Sequence, residues 1–404
     1  MSSTHVESLT TAVPALEARR VVQVYRRAPI VVTHGRGAYL YDSEGREYVD
    51  LISGVGVASL GHANPELARI VAEQAGILLH SSNLFFHPYQ GQLADRLATM
   101  SGLDRTFFCN SGTEGMEACL KFARRYWYTA GEKGRTRIVA LEGAFHGRTM
   151  GSLSVTADPH YRDPFAPLLA DVTFVPANDV AAIEAAITAD TAAIVLEGIQ
   201  GEGGVRPLTP AFAAAVQAAC DRTGALLICD EVQCGLGRTG HPFFFPVLGL
   251  RPHLVAIGKA LGAGIPIGAA LVAEDVARRI DLGDHGSTYG GNLLACRAGL
   301  YFVEQLLDGG LLAHVARVGA HLEARLLDLS RTHAIVREVR GRGLMLAIEL
   351  HPEAGPARPV VERLRERGIL AKDTHGQTIR LAPPLVIERG EIDWALERIA
   401  DALR

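Results

Sequence analysis

The chain of 404 residues is 48% hydrophobic and 21% charged, and its formal net charge is −4. Such a chain can bury a substantial core in more than one domain, and without a basic excess it is not expected to bind nucleic acid or a membrane surface. Its first residues, MSSTHVESLTTAV, lack the basic stretch and apolar core of a secretory signal, and its apolar runs are too short or too interrupted to span a bilayer. Six cysteines with no CxxC pair are typical of reduced core thiols, so we expect a cytoplasmic protein.

The predicted elements fall into three parts along the chain. Residues 1–60 are predicted to be mostly extended, and GAYLYDSEGREYVDL has two strand-like runs around the turn SEG, which indicates a hairpin. From residue 61 to about 300, short apolar runs alternate with amphipathic helical stretches, as in a mostly parallel sheet. Residues 301–404 combine a long helical region, broken at Gly309-Gly310, with two strand-like stretches and a final helix. We therefore predict an α/β fold with a large domain (61–300) and a smaller α+β domain formed by both chain ends (1–60 and 301–404).

Seven short runs rich in apolar and β-branched residues are the predicted strands of the large domain. They are RTFFC (105–109), RIVAL (137–141), VTFVP (172–176), AAIVLE (192–197), ALLICDE (225–231), HLVAIG (253–258) and GAALVAE (268–274). Ligands of open α/β sheets bind at the carboxyl ends of the strands. The residues that follow each run are therefore the candidates for chemistry.

The turn after the first run, NSGTEGMEA, is polar and opens a predicted helix. Free backbone N–H groups, the helix dipole and two hydroxyls make Ser111, Gly112 and Thr113 a candidate phosphate cradle. Simple N-capping by Ser111 or Thr113 explains the same pattern, so this turn does not by itself decide between the two.

Two further loops carry aromatic and charged residues. The loop EGAFHGRT, after RIVAL, holds Phe145, a candidate to stack on a planar ligand, and Arg148, a candidate to pair with a carboxylate. A buried anchor beside an exposed arginine is the plainer interpretation of that loop. The loop EGIQGEGGV, after AAIVL, has Glu197 and Glu202 on either side of glycines, which let a backbone approach a ligand closely.

The last two loops hold the most specific chemistry. Asp230 ends the apolar run ALLIC, where an acid is costly unless it is paired, and Gln233 follows with both a donor and an acceptor. Lys259, one of four lysines, lies in the apolar and glycine-rich stretch PHLVAIGKALGAGIP. Desolvation lowers the pKa of such a lysine, and a neutral amine forms Schiff bases with carbonyls, whereas a snorkelling lysine fits less well among small residues. A planar aromatic with a phosphate, an aldehyde and a basic ring nitrogen satisfies all five loops, and pyridoxal phosphate is that molecule.

The segment GLGRTG, residues 235–240, matches the dinucleotide-binding pattern G-x-G-x-x-G. That pattern must follow a strand directly and open a helix, whereas here five residues intervene and two prolines follow. A nucleotide-binding oxidoreductase is therefore a remote alternative. No HExxH, metal-spaced His/Cys cluster or G-x-S-x-G occurs, so neither a metal site nor an α/β-hydrolase is predicted.

The ordered set of motifs resembles the class III pyridoxal-phosphate aminotransferases of fold type I, and within them the acetylornithine branch. The similarity extends from about Tyr25 to beyond Arg380. The motifs that carry it are YDSEGREYVDLISGVGVASLGHANPE, NSGTE, GAFHGRT, IQGEGG, LLICDEVQCGLGRTG, GKALGAGIPIGA, HGSTYGGN, RGRGLML and RLAPPLVI. Each motif is weak to moderate alone, whereas their order along the chain is specific.

The resemblance implies a cofactor site for pyridoxal 5′-phosphate. Lys259 would hold the cofactor covalently and then move the substrate proton, and Asp230 would pair with its ring nitrogen. The remaining contacts would be made to the phenolic oxygen by Gln233, to the two ring faces by Val232 and Phe145, and to the phosphate by Ser111, Gly112, Thr113 and a Thr288 supplied across a homodimer interface.

The resemblance also implies substrate-binding residues, namely Tyr25, Val55, Arg148, Glu202, Ser287 and Arg380. Arg380 would bind the α-carboxylate of glutamate or 2-oxoglutarate and Arg148 the far carboxylate. Glu202 would neutralise Arg380 when the other substrate offers its terminal amine. The implied reaction moves the terminal amine of N-acetylornithine, or of a related acylated diamino acid, to 2-oxoglutarate in arginine biosynthesis.

The choice of amine donor is the least specific part of the resemblance. Ornithine-type members carry a tyrosine at the position of Val55, so a small residue there favours an acylated donor. The sequence departs from the family pattern at Gly115-Met116, Gly198 and Leu293, which bears on specificity and not on reaction type. Succinyl-diaminopimelate (which would add lysine biosynthesis), ornithine, 4-aminobutyrate and putrescine are the alternative donors, and a mutase is an alternative reaction.

Overall fold

Strands and helices alternate through most of the chain, of which the structure, a computed structural model, describes residues 3–404 and the side chains from Leu9 onward. The strands are β1 (Val32–Arg36), β2 (Tyr39–Asp42), β3 (Glu47–Asp50), β4 (Arg105–Cys109), β5 (Arg137–Leu141), β6 (Val172–Val175), β7 (Thr191–Glu197), β8 (Ile199–Gln200), β9 (Arg206–Pro207), β10 (Leu226–Asp230), β11 (Leu254–Ile257), β12 (Gly268–Val272), β13 (Val336–Arg342), β14 (Met345–Leu350), β15 (Ile369–Leu370), β16 (Lys372–Thr374) and β17 (Thr378–Leu381). The α-helices are α1 (Ser3–Arg20), α2 (Ser53–Gly56), α3 (Pro65–Ile77), α4 (Pro88–Ser101), α5 (Gly112–Thr129), α6 (Met150–Ser154), α7 (Pro159–Arg162), α8 (Val180–Ala186), α9 (Pro210–Thr223), α10 (Glu274–Ala277), α11 (Leu293–Leu307), α12 (Leu311–Thr332), α13 (Arg358–Glu366) and α14 (Arg389–Ala402).

The central sheet has seven strands in the order β4-β12-β11-β10-β7-β5-β6. All neighbours are parallel except β12, which is antiparallel to both β4 and β11. All seven predicted strands are confirmed: β4 and β5 have the predicted bounds, and the ends of the other five are shifted by at most two residues. Along β7, Ile194 and Leu196 pack into one core while Ala193 and Val195 pack into another. The apolar run is continuous because helices cover both faces of the sheet.

The two chain ends meet outside the central sheet. The predicted hairpin is confirmed as β2 and β3, and β15 from the C-terminal part adds to β3 in parallel. A separate antiparallel sheet has the order β13-β14-β17-β16. One of the two strand-like stretches predicted in residues 301–404 is thus a complete hairpin, β13-β14, whose strands are joined at Gly343. The domain boundaries at residues 60 and 300 stay predictions.

The prediction of a mostly extended N-terminal segment is wrong for α1, which is helical from Ser3 to Arg20. Its sequence contains Thr10, Thr11, Val13 and an internal Pro14, all of which have low helix propensity. Helix propensity is only a weak predictor because tertiary context overrides it, and here it predicted the wrong element.

One edge of the central sheet collects the strand ends that the sequence singles out. Because β12 is antiparallel to both β4 and β11, β4 runs in the same direction as β11. β11 is parallel to β10, and β10, β7 and β5 are parallel to one another, so all five strands share one direction. The carboxyl ends of all five therefore lie along a single edge. They are followed by residues 110–113, 142–148, 198–204, 231–234 and 258–262.

Candidate active site

Lys259 follows β11 and begins a short 3₁₀ turn, with a left-handed backbone φ of 38°. Its side chain is half-buried, and within the described residues its amine has neither a hydrogen-bond acceptor nor an ion-pair partner. Burial, and then the charge of Arg380, lower the pKa of Lys259, while the charge of Asp230 opposes them. A Cβ on the preceding residue, Gly258, would lie 2.8 Å from the backbone nitrogen of Gly112. Glycine at 258 thus lets the lysine loop approach the start of α5.

Asp230 at the end of β10 is paired with a histidine that the sequence analysis left without a role. Nδ1 of His146 donates to Oδ2 of Asp230 at 2.8 Å, and both side chains are buried. The other carboxylate oxygen accepts the N–H of Val232 at 3.0 Å. The partner of this buried acid is His146, which is 84 residues away in the chain and offered no local signal. Nε2 of His146 is buried without a partner among the described atoms.

Glu197 ties two of the loops together beneath the site. Its carboxylate accepts the N–H groups of Phe145 and Gly201, each at 3.0 Å. Burial raises the pKa of Glu197 to about 7, and the charge of Asp230 adds to this, although His146 and the two N–H groups lower it. Glu197 is therefore a structural acid that fixes the loop of Phe145 against the glycine-rich loop.

The start of α5 forms the candidate phosphate cradle. Ser111 is the N-cap, and its hydroxyl accepts the N–H of Glu114 at 3.3 Å. The N–H groups of Gly112 and Thr113 have no acceptor within the part of the chain described here, and the dipole of this 18-residue helix favours an anion there. The Thr113 hydroxyl lies 2.6 Å from that of Ser152, so it is turned toward helix α6. Capping and anion binding are thus compatible at this turn.

Val232 and Gln233, in the loop after β10, pack closely against two neighbouring loops. A Cβ on Gly112 would lie 2.6 Å from Cγ1 of Val232, and a Cβ on Gly201 would lie 2.2 Å from Nε2 of Gln233. Both glycines are thus required by close side-chain approach, which joins the loops after β4, β7 and β10. Phe145 is half-buried at the end of the loop after β5.

Arg380 and Glu202 form the second half of the site. Arg380, on β17, is 2% exposed, and its Nη1 donates to Oε1 of Glu202 at 2.7 Å. The other oxygen of Glu202 accepts a hydrogen bond from Nζ of Lys372, on β16, at 2.9 Å. Burial alone would raise the pKa of Glu202, but the charges of Arg380 and Lys372 together lower it to about 2. Nη2 of Arg380 is buried and has no partner among the described atoms.

Lys372 was missed in the sequence because nothing local marks it. It enters the site through the register of two antiparallel strands, in which it lies opposite Arg380. A cavity of about 720 Å³ is lined by Glu202, Lys372, Phe145 and Tyr161 but not by Arg380. Glu202 therefore borders open space as well as Arg380.

Three further predicted substrate residues lie at or near this edge in different ways. Ser287 accepts hydrogen bonds from Asn110 at 3.3 Å and from Gly290 at 2.9 Å, next to the end of β4. Arg148 is exposed, and its guanidinium lies 3.6 Å from the centroid of the Tyr161 ring. Val55 is half-buried in a turn whose next residue, Gly56, faces the stem of Lys259.

Tyr25 and Thr288 are not brought to the site by the single chain. Tyr25 is 73% exposed in the extended segment after α1, and Thr288 is exposed in the segment between α10 and α11. The predicted roles of Tyr25 at the substrate and of Thr288 across a homodimer interface stay predictions.

The departures from the family pattern are buried packing positions. A Cβ on Gly115 would lie 2.8 Å from the carbonyl oxygen of Ala269 in β12, so α5 packs unusually close to the sheet here. Met116 and Leu293 are buried in the core, and a Cβ on Gly198 would lie 2.7 Å from the ring of Phe244. Their first effect is thus on packing beneath the site.

The segment GLGRTG does not have the structure of a dinucleotide-binding turn. It folds back on itself, with the N–H groups of Leu236 and Gly237 donating to Pro242 and His241 at 2.8 and 3.1 Å. No α-helix occurs between β10 and β11, so the helix N-terminus that would bind a pyrophosphate is missing.

The residues present fit pyridoxal phosphate. Unpaired N–H groups face a phosphate position, a free amine of lowered pKa is available to an aldehyde, and a carboxylate held by His146 is available to a basic ring nitrogen. The apolar side chain of Val232 packs against the start of α5, and Phe145 lines the cavity of about 720 Å³.

Comparison with known proteins agrees with this geometry. The family model "Aminotransferase class-III" matches residues 21–403. The chain belongs to the class-III aminotransferases. It is 42% identical to the acetylornithine aminotransferase of Aquifex aeolicus, covering 94% of this chain and 98% of that protein.

Solved structures support the same family and its fold type I architecture. The ornithine aminotransferase of Toxoplasma gondii ME49 superposes with a TM-score of 0.94 at 32% identity, over 100% of this chain and 98% of that chain. An amine transaminase from an uncultivated Pseudomonas species, solved in its PLP-bound form, superposes with a TM-score of 0.88 at 30% identity, over 95% and 96%. The aminotransferase therefore uses pyridoxal 5′-phosphate as its cofactor and amino and keto acids as substrates.

Proposed function

We propose that this aminotransferase moves the terminal amine of N-acetylornithine, or of a related acylated diamino acid, to 2-oxoglutarate, as a step of arginine biosynthesis. The curated relative at 42% identity carries the name acetylornithine aminotransferase. The observation that carries the proposal is the triad of Arg380, Glu202 and Lys372, because a site for two unlike substrates needs a charge that can be covered and uncovered.

Arg380 suits a carboxylate that arrives and leaves. Its guanidinium is buried, one donor is neutralised by Glu202, and another, Nη2, is unpaired. A guanidinium binds a carboxylate through two parallel hydrogen bonds. Glutamate and 2-oxoglutarate would take this place, whereas a donor that presents its terminal amine brings no carboxylate there and needs Arg380 to stay covered by Glu202.

Lys372 lowers the free-energy cost of moving the carboxylate of Glu202 away from Arg380. When a substrate carboxylate takes Arg380, the acid keeps its second cation at 2.9 Å, and both Glu202 and Lys372 line the cavity of about 720 Å³. An ionised carboxylate left buried without a partner would be costly. Lys372 therefore removes the main energetic obstacle to the exchange.

The residues around Lys259 supply binding and proton transfer. When bound, pyridoxal 5′-phosphate supplies an electron sink that withdraws electrons from the bond to be broken. Asp230, oriented by His146, would keep the ring nitrogen protonated, and Val232 and Phe145 would hold the ring between them. The amine of Lys259, whose pKa is lowered by burial, would take up the substrate proton and return it at the neighbouring atom.

Arg148 would bind the carboxylate at the far end of the diacid. Its guanidinium stacks on Tyr161 and is open to solvent, so it can turn toward a ligand without breaking an ion pair. Tyr25, Val55 and Ser287 would border the donor, and Gln233 the phenolic oxygen of the cofactor.

We also propose a homodimer with shared active sites. An apolar ridge of Leu84, Phe85 and Phe86 is exposed, Phe86 completely. Asn83, at its start, donates to the carbonyl oxygens of Ser287 and Gly290, at 3.1 and 2.9 Å, so the ridge is continuous with the segment of Thr288. A second copy seated there would bury the ridge and bring Thr288 to the neighbouring phosphate cradle. Phe86→Asp should dissociate the dimer in light-scattering measurements, whereas Val247→Asp, an exposed apolar residue elsewhere, should not.

We propose a cytoplasmic location. All six cysteines are unpaired and buried, which suits a reducing compartment. Within the described residues no helix is long and apolar enough to cross a membrane.

A donor panel tests the proposed reaction. Acetylornithine, succinyl-diaminopimelate, ornithine, 4-aminobutyrate and putrescine are each given to the holoenzyme with 2-oxoglutarate, and glutamate formation is measured. We expect the acylated donors to have the largest kcat/KM. A higher value for ornithine, putrescine or 4-aminobutyrate would replace the donor while keeping the reaction, and failure of glutamate to convert the enzyme in the reverse half-reaction would favour a mutase.

A further inference from the structure

Arg238, in the segment GLGRTG, is a buried charge with no carboxylate beside it. Its side chain is 3% exposed, and among the described residues no acid lies within ion-pair distance of it. Burial and the charge of Arg380 lower its pKa to about 9, while the charge of Asp50 opposes them. A buried guanidinium is costly unless its donors are satisfied, so the groups that accept its hydrogen bonds identify its role.

Three separate parts of the chain meet at this guanidinium. Nη1 donates to the carbonyl oxygens of Leu344, at 3.1 Å, and of Pro383. Nη2 donates to the hydroxyl of Ser53 at 3.4 Å. That hydroxyl in turn donates to the carbonyl of Ala382 at 2.6 Å. The loop after β10 is thus joined to the β13-β14 turn, to the end of β17 and to the N-terminal part of the chain.

The segment that Ser53 begins has an unusual backbone. Ser53, Gly54, Val55 and Gly56 have φ values of 48°, 62°, 66° and 82°, so α2 is one turn of left-handed helix. A left-handed conformation is unfavourable for each residue with a side chain, and a β-branched valine is among the least suited. Such a turn persists only where its surroundings hold it.

The turn lies directly against the catalytic lysine. A Cβ on Gly56 would lie 3.8 Å from Cδ of Lys259. Arg380 lies two residues before Ala382, whose carbonyl accepts the hydrogen bond of Ser53, and the carbonyl of the next residue, Pro383, accepts that of Arg238. One guanidinium therefore fixes both the wall beside the amine of Lys259 and the strand end that carries Arg380.

We propose that Arg238 is a positioning residue for the reaction: through Ser53 it holds the left-handed turn Ser53–Gly56 against Lys259 and in fixed relation to Arg380. The turn then sets the free space beside the amine, and with it the discrimination between donors of different size. This last step rests on the proposed function, because it requires a terminal-amine donor whose other end is acylated or free.

The sharpest test is Ser53→Ala, which removes the bridge and leaves the charge of Arg238 in place. Loss of one hydrogen bond corresponds to about a threefold to tenfold effect. We expect the ratio of kcat/KM for acetylornithine over ornithine to fall by that factor. Hydrogen exchange in the holoenzyme should also accelerate at the N–H groups of Gly56, Val57 and Ala58, which donate to the carbonyls of Ile52 and Ser53. Exchange in β4 and β12 should stay unchanged.

Arg238→Lys extends the test by keeping the charge but losing the forked geometry that reaches three acceptors, and it should lower the ratio further. Arg251→Lys, at an exposed arginine that pairs with Asp221, is the matched control and should change neither readout. A lower unfolding temperature in both variants with unchanged donor ratio and unchanged exchange at residues 56–58 would overturn the proposal. If the wild type does not use acetylornithine, the proposed donor fails, and the ratio is measured with the two terminal-amine donors that it does use.

Discussion

Replacing Glu202 by glutamine gives the most direct test of how one pocket serves two substrates. The variant keeps the size of the side chain but removes the charge that neutralises Arg380. For a donor that presents its terminal amine, Arg380 would then remain buried and uncompensated, because its closest carboxylate is the one removed. For glutamate and 2-oxoglutarate, the competitor for Arg380 is gone.

The size of the effect follows from the contacts of this acid. Arg380 and Lys372 lower the pKa of Glu202 from about 4.5 to about 2 against the effect of burial, which corresponds to roughly 3 kcal/mol at 1.36 kcal/mol per unit. A charge-assisted hydrogen bond contributes about 1.5–3 kcal/mol. We therefore expect Glu202→Gln to change the preference for glutamate over terminal-amine donors by at least about tenfold, in favour of glutamate.

Single-turnover half-reactions measure this preference without the second substrate. Glutamate and acetylornithine are each mixed with excess holoenzyme, and the loss of the visible cofactor absorbance gives one rate constant per donor. Glu397→Gln, at a carboxylate that is 76% exposed, is the control and should leave both rate constants unchanged. A ratio for Glu202→Gln within twofold of the wild type, in a protein that still binds cofactor, would refute the exchange of Glu202 at Arg380.

The same acid makes a signed prediction for stability. Because its folded-state pKa is depressed, Glu202 stabilises the protein above about pH 4.5, and this contribution is lost as the pH falls toward about 2. The difference in free energy of unfolding between wild type and Glu202→Gln should therefore shrink over that range. Urea unfolding at pH 6, 4.5 and 3.5 measures it, and a constant difference would contradict the reasoning.

Three further outcomes are expected. Gly112→Ala should raise the cofactor concentration for half-maximal reactivation of apoenzyme at least tenfold. The new Cβ would lie 2.6 Å from Cγ1 of Val232, and overpacking costs about 1–3 kcal/mol. Gly134→Ala, where the new Cβ meets open space, should leave this concentration unchanged. Lys372→Met should raise the KM for 2-oxoglutarate about twofold to fivefold in steady-state assays, with the KM of the amine donor unchanged. Burial raises the pKa of Glu231 to about 7, so the free energy of unfolding of the wild type should decline between about pH 4.5 and 7. In urea unfolding, the free energy of unfolding of Glu231→Gln should decline less over this range, and equal slopes would disprove this.

The catalytic edge of the sheet could be read from the chain because its signals are local. Each strand is a short apolar run, and the residue after it has a chemistry that is costly at a buried strand end without a ligand or partner, as for Asp230 and Lys259. Parallel strands then bring those ends to one edge by topology alone. The alternation of strands and helices therefore predicted the fold class, and the loops after the strands predicted the cofactor. The reaction type came from the resemblance of the ordered motifs to a known family, whereas the helix α1 was missed because its propensities are poor.

The partners of these residues could not be read in that way. His146 pairs with Asp230 across 84 residues, Lys372 reaches Glu202 through the register of β16 and β17, and Arg238 joins three parts of the chain around Ser53. A buried charge can be satisfied by any suitable group that the fold brings near, and the sequence leaves no mark on which group that is. The motifs name the groups for which we propose chemistry, and the packing of distant segments selects the groups that hold and neutralise them.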